Sequence, residues 1–229
     1  MKAATDLRLA RLLQLASPAL PVGAYSYSQG LEAAVEKKIV CDASTAAQWI
    51  GAMLEYSVAP MEAPVLLRSI AAWRASDFVA IDNWNALFLA SRETSELRAE
   101  TVQMGYSLRK LLTELEGTNE EARAHLARLE EIAFPTPYAF AVSQWQIPAQ
   151  PALVAYLWAW LENQVMAALK AVPLGQTDGQ RMLLALGDRL GAIADRAAML
   201  ADDDLGSFAP GLALLSSQHE TQYSRLFRS

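Results

Sequence analysis

Side chains that carry chemistry are scarce in this chain of 229 residues. A single cysteine, Cys41, excludes an intrachain disulfide and suits a reducing compartment. Two histidines, His125 and His219, are too few for a self-contained transition-metal site. Basic residues number 19 against 25 acidic ones, a net charge of −6 without any lysine–arginine cluster, which argues against a nucleic-acid partner. The longest apolar run, residues 152–161, stops at Glu162-Asn163-Gln164, well short of the roughly 20 residues a membrane span needs. It reads as a buried helix, and no membrane partner is expected. The N-terminus sets Asp6, Arg8 and Arg11 among leucines and shows no export signal, so a cytoplasmic location is expected.

Signatures of catalysis are missing as well. Residues 172–179, Val-Pro-Leu-Gly-Gln-Thr-Asp-Gly, lack the lysine and spacing of a phosphate-binding loop, so the chain should not itself bind ATP or GTP. His125 lies in the charged run 120–131 and reads as a solvated helix residue with no catalytic role. Asp202-Asp203-Asp204 resembles the aspartate-rich magnesium sites of helical terpenoid synthases, but no second acidic cluster faces it. A charged helix end or loop is the simpler reading. The alternative from another functional class is a small magnesium-dependent helical enzyme acting on an apolar diphosphate.

What the chain does have is apolar surface: 53% hydrophobic residues against 19% charged, more than one core of this size needs, so oligomers or complexes are the natural outlet. No strand-like alternation is convincing, and the expected fold is all-α, one compact multi-helix domain over residues 1–217 with a tail at 218–229. Helices are expected at 6–16, 28–37, from a cap among Asp42, Ser44 and Thr45 to near Pro60, and at 62–75, 77–90, 92–114 and 119–132. Thr45 and Gln48 have capping-box spacing, and Gly117-Thr118-Asn119 marks a turn. Pro135 and Pro137 are expected to break the chain before helices at 138–144, 151–170 and 177–200.

Three segments ask for more than helix packing. Residues 17–32, Ser-Pro-Ala-Leu-Pro-Val-Gly-Ala-Tyr-Ser-Tyr-Ser-Gln-Gly-Leu-Glu, form either a connector whose tyrosines cap the core or a contact surface. Gly187, Gly191, Ala194 and Ala198 put small side chains along the 177–200 stretch, as the core helix of a monomer or a dimer contact would. The tail, His219-Glu220-Thr221-Gln222-Tyr223-Ser224-Arg225-Leu226-Phe227-Arg228-Ser229, mixes aromatics with arginines, and it either orders on a partner or docks on its own core.

Together the 17–32 loop, the run Ser91-Arg92-Glu93-Thr94-Ser95-Glu96-Leu97-Arg98 leading to Gln103-Met104-Gly105, the Pro173-Leu174-Gly175-Gln176 turn and the tail closely resemble the urease accessory protein F family (UreF). The resemblance covers essentially the whole chain. It implies a non-enzymatic, dimeric adaptor that joins accessory proteins D (also called H) and G, the latter a GTPase, to install nickel in apo-urease. The adaptor stably binds no cofactor, and nickel is handled by the complex. Carried onto this sequence, Glu220, Tyr223, Arg225, Leu226, Phe227 and Arg228 would dock on the D protein. Glu32, Lys170 and Gln176 would face the GTPase, unless Glu32 only favours a helix N-terminal turn, Lys170 a helix C-terminus and Gln176 its turn. Deletion after Ser217 should then abolish D-protein binding and change melting little. Arg92, Arg98 or Arg181 could reach a bound GTPase as a transition-state cation, with nothing to select one. Cys41 and His219 could pair across a dimer as a transient nickel relay.

Overall fold

The computed structural model describes residues 2–115 and 118–229. Twelve α-helices are present among them: α1 Lys2–Ala16, α2 Leu31–Glu36, α3 Ala43–Met53, α4 Ala63–Ala75, α5 Phe78–Ala90, α6 Ser95–Glu114, α7 Glu120–Arg128, α8 Pro135–Gln144, α9 Ala149–Ala171, α10 Gln176–Gly187, α11 Leu190–Met199 and α12 Pro210–His219. The all-α expectation is met, with no strand among the described residues. Glu116 and Gly117 lie outside those residues, and with them part of the expected turn at Gly117-Thr118-Asn119.

Helix starts follow local chemistry. Asp42 caps α3 by accepting from the Thr45 amide at 2.8 Å, and the Thr45 hydroxyl in turn receives the Asp42 amide. The capping box is therefore Asp42–Thr45, not Thr45–Gln48. Asp77, Thr94 and Asn119 cap α5, α6 and α7 in the same manner. Pro135 does not break the chain but opens α8, where its missing N–H would have had no partner.

Two other boundaries differ from the sequence reading. The helix expected to end near Pro60 continues as a π-helix over Leu54–Glu62 into α4, and the Ala63 amide reaches back to the Val58 carbonyl. Widening the turn accommodates a proline ring that would clash with the carbonyl four residues earlier in an α-helix. The stretch 177–200 is two helices separated by Asp188 and Arg189. Helix α2 starts only at Leu31, because Gln29 and Gly30 both take positive φ, 52° and 76°.

α4 packs on α8, and α9 runs past α1, α2, α3, α4, α10 and α11, so these elements enclose the main core. Trp73 and Phe140 meet edge to face at 5.1 Å, as do Tyr138 and Tyr156. Asn85 of α5 ties down the chain entering α8: its amide nitrogen donates to the Glu131 carbonyl, and its oxygen receives the Ala133 amide and the Thr136 hydroxyl, each at 2.9 Å. α6 presses against this segment because Gly105 has no side chain. A Cβ there would run into the Ile132 carbonyl.

Candidate functional site

The loop and the tail singled out in the sequence meet in space. The Arg228 amide donates to the Ser26 carbonyl and the Ser28 amide to the Ser229 oxygen, both at 2.8 Å, so main-chain bonds tie the final residues to the loop. Phe227 and Ser229 are buried, Ser229 completely. Of the two sequence readings of the tail, docking on its own core is the arrangement seen in the chain alone. Residues 227–229 pack against the helical body.

Glu32 is the centre of that docking. It is buried in the first turn of α2, where its carboxylate accepts the Leu226 amide at 2.7 Å and the Phe227 amide at 2.9 Å. His219 adds a third contact, Nε2 lying 3.2 Å from a Glu32 oxygen while Nδ1 lies 2.8 Å from Glu96. Glu96 also pairs with Arg225 at 2.7 Å. His219 is fully buried with both ring nitrogens engaged, and exposed Cys41 sits before α3, so the Cys41–His219 relay has no support here. Among the described residues, no group of His, Cys, Asp and Glu is arranged to hold a metal ion.

Not every tail residue is spent on the core. Glu220 receives the amide and hydroxyl of Ser95. Tyr223 is fully exposed and Leu226 is 71% exposed. Lys170 holds its ammonium 5.9 Å from the Tyr25 ring and 5.7 Å from the Phe227 ring. Together with Ser26, Leu226 and Arg228, these three residues line a surface groove of about 400 Å³. Gln176 is exposed at the start of α10 and makes no contact with this cluster.

Adjoining the groove is a second feature that sequence reasoning missed, a partly open pocket of about 210 Å³ that extends to Tyr25 and Lys170. Its walls are mainly apolar but carry Gln29, Glu62, Arg92 and Glu100. Arg92 and Glu62 form a buried ion pair at 3.0 Å, and the Tyr156 hydroxyl donates to the other Glu62 oxygen at 2.9 Å. Burial, reinforced by the Glu62 charge, holds the Tyr156 phenol well above its usual range. Glu100 accepts from Gln29 at 2.8 Å and from the Ser229 hydroxyl at 3.0 Å. Its burial pushes the carboxyl up to about 7 despite those two hydrogen bonds. A signal for Glu100 did exist, since it falls in phase with the buried Leu97, Met104 and Leu108 on α6.

The remaining candidates are dispersed. Arg92 is committed to Glu62, Arg98 to the Leu89 carbonyl and Glu131, and Arg181 is exposed beside Asp178. His125 is buried rather than solvated: it stacks on Phe78 at 4.4 Å, Arg128 donates to its Nδ1, and its Nε2–H donates to Asp82. Asp202 pairs with Arg68 in a single 3₁₀ turn, a charged loop as read, and the diphosphate alternative is not favoured. Gly187 ends α10 with Trp158 close by, whereas Gly191, Ala194 and Ala198 lie on α11, where Ala194 is buried and Ala198 exposed. The four small residues do not line one face of one helix.

Comparison with known proteins gives a consistent result. A family model described as UreF matches residues 40–187. The chain is 57% identical over 225 residues to the urease accessory protein UreF of Azoarcus sp. (strain BH72), covering 97% of this chain and 96% of that protein. Identity is 52% over 226 residues to the protein of the same name from Dechloromonas aromatica (strain RCB), with 98% and 99% covered. For the Janthinobacterium sp. (strain Marseille) relative it is 50% over 221 residues, with 96% and 98% covered. Among the described residues, no helix is long and apolar enough to cross a membrane.

Proposed function

Since this chain belongs to the UreF family of urease accessory proteins, we propose that it works as a cytoplasmic, homodimeric scaffold. It bridges accessory protein D (H) and the GTPase G, and modulates that GTPase, so that the complex delivers nickel to apo-urease. The observation that carries this reading is the convergence of loop and tail: Tyr25, Lys170, Leu226, Phe227 and Arg228 form one aromatic and cationic groove, flanked by tail side chains that face solvent. Aromatic and arginine side chains held on a fixed backbone are what a protein interface uses as anchors. Nickel is cargo in this scheme, and no residue of the chain is assigned to retain it.

The D-protein contact falls to Tyr223, Leu226, Arg225, Arg228 and Glu220, with Phe227 as their buried support. Lys170 and Gln176 face the GTPase, and the α10–α11 region around Gly191 and Ala198 contributes to the two-fold contact. Co-expression with the D (H) protein and the GTPase, followed by purification through a tag on this chain, tests the scheme. A complex holding all three, and a dimer when the chain is alone, are expected. Recovery of a solitary monomer, with urease activated normally in cells lacking the chain, would sink it.

A further inference from the structure

Among the described residues, Glu100 of α6 is a buried carboxylate with no cation against it. It is 5% exposed, and its two oxygens receive the Gln29 side-chain amide at 2.8 Å and the Ser229 hydroxyl at 3.0 Å, both neutral donors. Arg92, which lines the same pocket, is already paired with Glu62 at 3.0 Å. A charge taken out of water is ordinarily matched by an opposite one. We propose that the pocket of about 210 Å³ beside Glu100 is a binding site for a small organic ammonium ion, an aryl- or alkylamine whose charged head meets the Glu100 carboxylate and whose apolar body fills the remaining space.

Charge, depth and size agree on that class of ligand. Three carboxylates, Glu62, Glu100 and Glu162, line the pocket against two cations, Arg92 and Lys170, which leaves one negative charge in excess. Tyr25, Met166 and Lys170 are exposed whereas Tyr138, Tyr156 and Glu100 are buried, so the pocket opens between the loop and α9 and deepens toward Glu100. The unmatched charge therefore lies at the inner end. Aromatic rings make up much of the remaining wall, Phe134 and Tyr156 being stacked 5.7 Å apart, and such faces accept both hydrocarbon and cation. An apolar cavity of about 150 Å³ takes benzene. At about 210 Å³ this one has room for a ring of that size carrying a short aminoalkyl chain. A carboxylate oxygen that receives one donor keeps a lone pair for a second, so the ammonium adds to the Gln29 and Ser229 bonds without displacing them. A bare metal ion is a poorer match, because among the described residues no group of His, Cys, Asp and Glu is arranged to hold one and the hydrocarbon wall cannot replace a hydration shell.

The test uses the full chain without partners, so its failure would leave the scaffold reading untouched. Phenethylamine is titrated into the chain by calorimetry at about pH 8, where the Glu100 carboxyl is ionised and the amine still protonated. Phenethyl alcohol serves as the neutral isostere and phenylacetate as the anionic analogue. Saturable binding of the amine with a dissociation constant of about 1 mM or tighter is expected, the range open to a ligand of so few atoms. The alcohol should bind about tenfold more weakly or worse, having lost the charge-assisted bond, and phenylacetate should not bind. Glu100→Gln keeps an acceptor without the charge and should bring the amine down to the affinity of the alcohol. Ala159→Leu fills the pocket from α9 and should weaken amine and alcohol alike, with the melting temperatures of both variants showing that they fold. Equal affinity for amine and alcohol overturns the site, and so does a Glu100→Gln chain that still prefers the amine or an Ala159→Leu chain that binds as before. Failure of the amine to saturate by about 10 mM does the same.

Discussion

The main-chain amide of Phe208 donates to the carbonyl of Tyr56 across 2.8 Å, and the Gly206 amide does the same to Pro60 at 3.2 Å. In an α-helix these carbonyls would meet the amides four residues on, but those positions are Pro60 and Pro64 and carry no N–H. The segment around Phe208 thus lays two of its amides against carbonyls of the π-helix. Phe208→Pro deletes one donor and is expected to lower stability by about 1–2 kcal/mol. Phe208→Ala keeps the amide and removes a ring that is 80% exposed, so its effect should stay within about 0.5 kcal/mol. Urea unfolding of the two variants separates the amide from the ring, and equal losses would reject the assignment.

Glu32 is the acceptor for two main-chain amides and one imidazole in a buried setting. Glu32→Ala strands all three and leaves His219 facing only Glu96, so a loss of about 3–5 kcal/mol is expected, the range for breaking a buried charged contact. Deletion after Ser217 removes buried His219, Phe227 and Ser229 as well. It should therefore depress the melting temperature clearly, contrary to the small change expected from the sequence. Thermal unfolding of both variants checks this.

Gly105 allows the backbone at Ile132 and Ala133 to lie directly on α6. Gly105→Ala would improve helix propensity by up to about 1 kcal/mol, yet it pushes a methyl into the Ile132 carbonyl and costs about 1–3 kcal/mol of overpacking. A net loss is expected, read from the urea midpoint. An unchanged midpoint would mean that the 129–134 segment can move away freely.

Glu100 imposes a sign on the pH dependence of folding. Its carboxyl lies at about 7 in the folded chain against a reference of 4.5, so between those values the folded state binds the extra proton. Stability from this group is fully present below about 4.5 and is lost as the pH rises through about 7. Glu100→Gln should accordingly be more stable than the unsubstituted chain at pH 8, by up to about 3 kcal/mol, with the difference closing toward pH 5. Denaturation at the two pH values measures it, and a constant difference would remove the carboxyl from the account.

How much of this was legible in the sequence depended on whether the signal was local. A cap among Asp42, Ser44 and Thr45, the helix periodicities and the peculiarity of the 17–32 loop are properties of neighbouring residues, and they could be read directly. Pro60 misled because the chain passes it in a π-helix, a widening of the turn that the local pattern does not announce. His125 misled because a charged run fixes what lies on one face of α7 and says nothing of Phe78 stacked on the other. The tail was recognised as unusual, but its holders Glu32 and Glu96 sit in different helices, and only the folded chain brings them together.

Tyr223 and Leu226 remain as the tail side chains whose loss should touch function alone. Neither ring nor side chain is buried, and the Leu226 contact to Glu32 runs through its backbone amide, which any residue except proline keeps. Tyr223→Ala and Leu226→Asp should each leave the melting temperature within the scatter of surface substitutions, about ±0.5 kcal/mol. If the tail is the anchor for the D protein, each should weaken that complex by roughly tenfold or more, the cost of an interface residue worth above about 1 kcal/mol. Calorimetric titration of the folded variants with the D (H) protein compares the two quantities in one sample. Undiminished affinity in both would move the D-protein contact off the tail, and lost affinity with a lowered melting temperature would show that these side chains serve the fold.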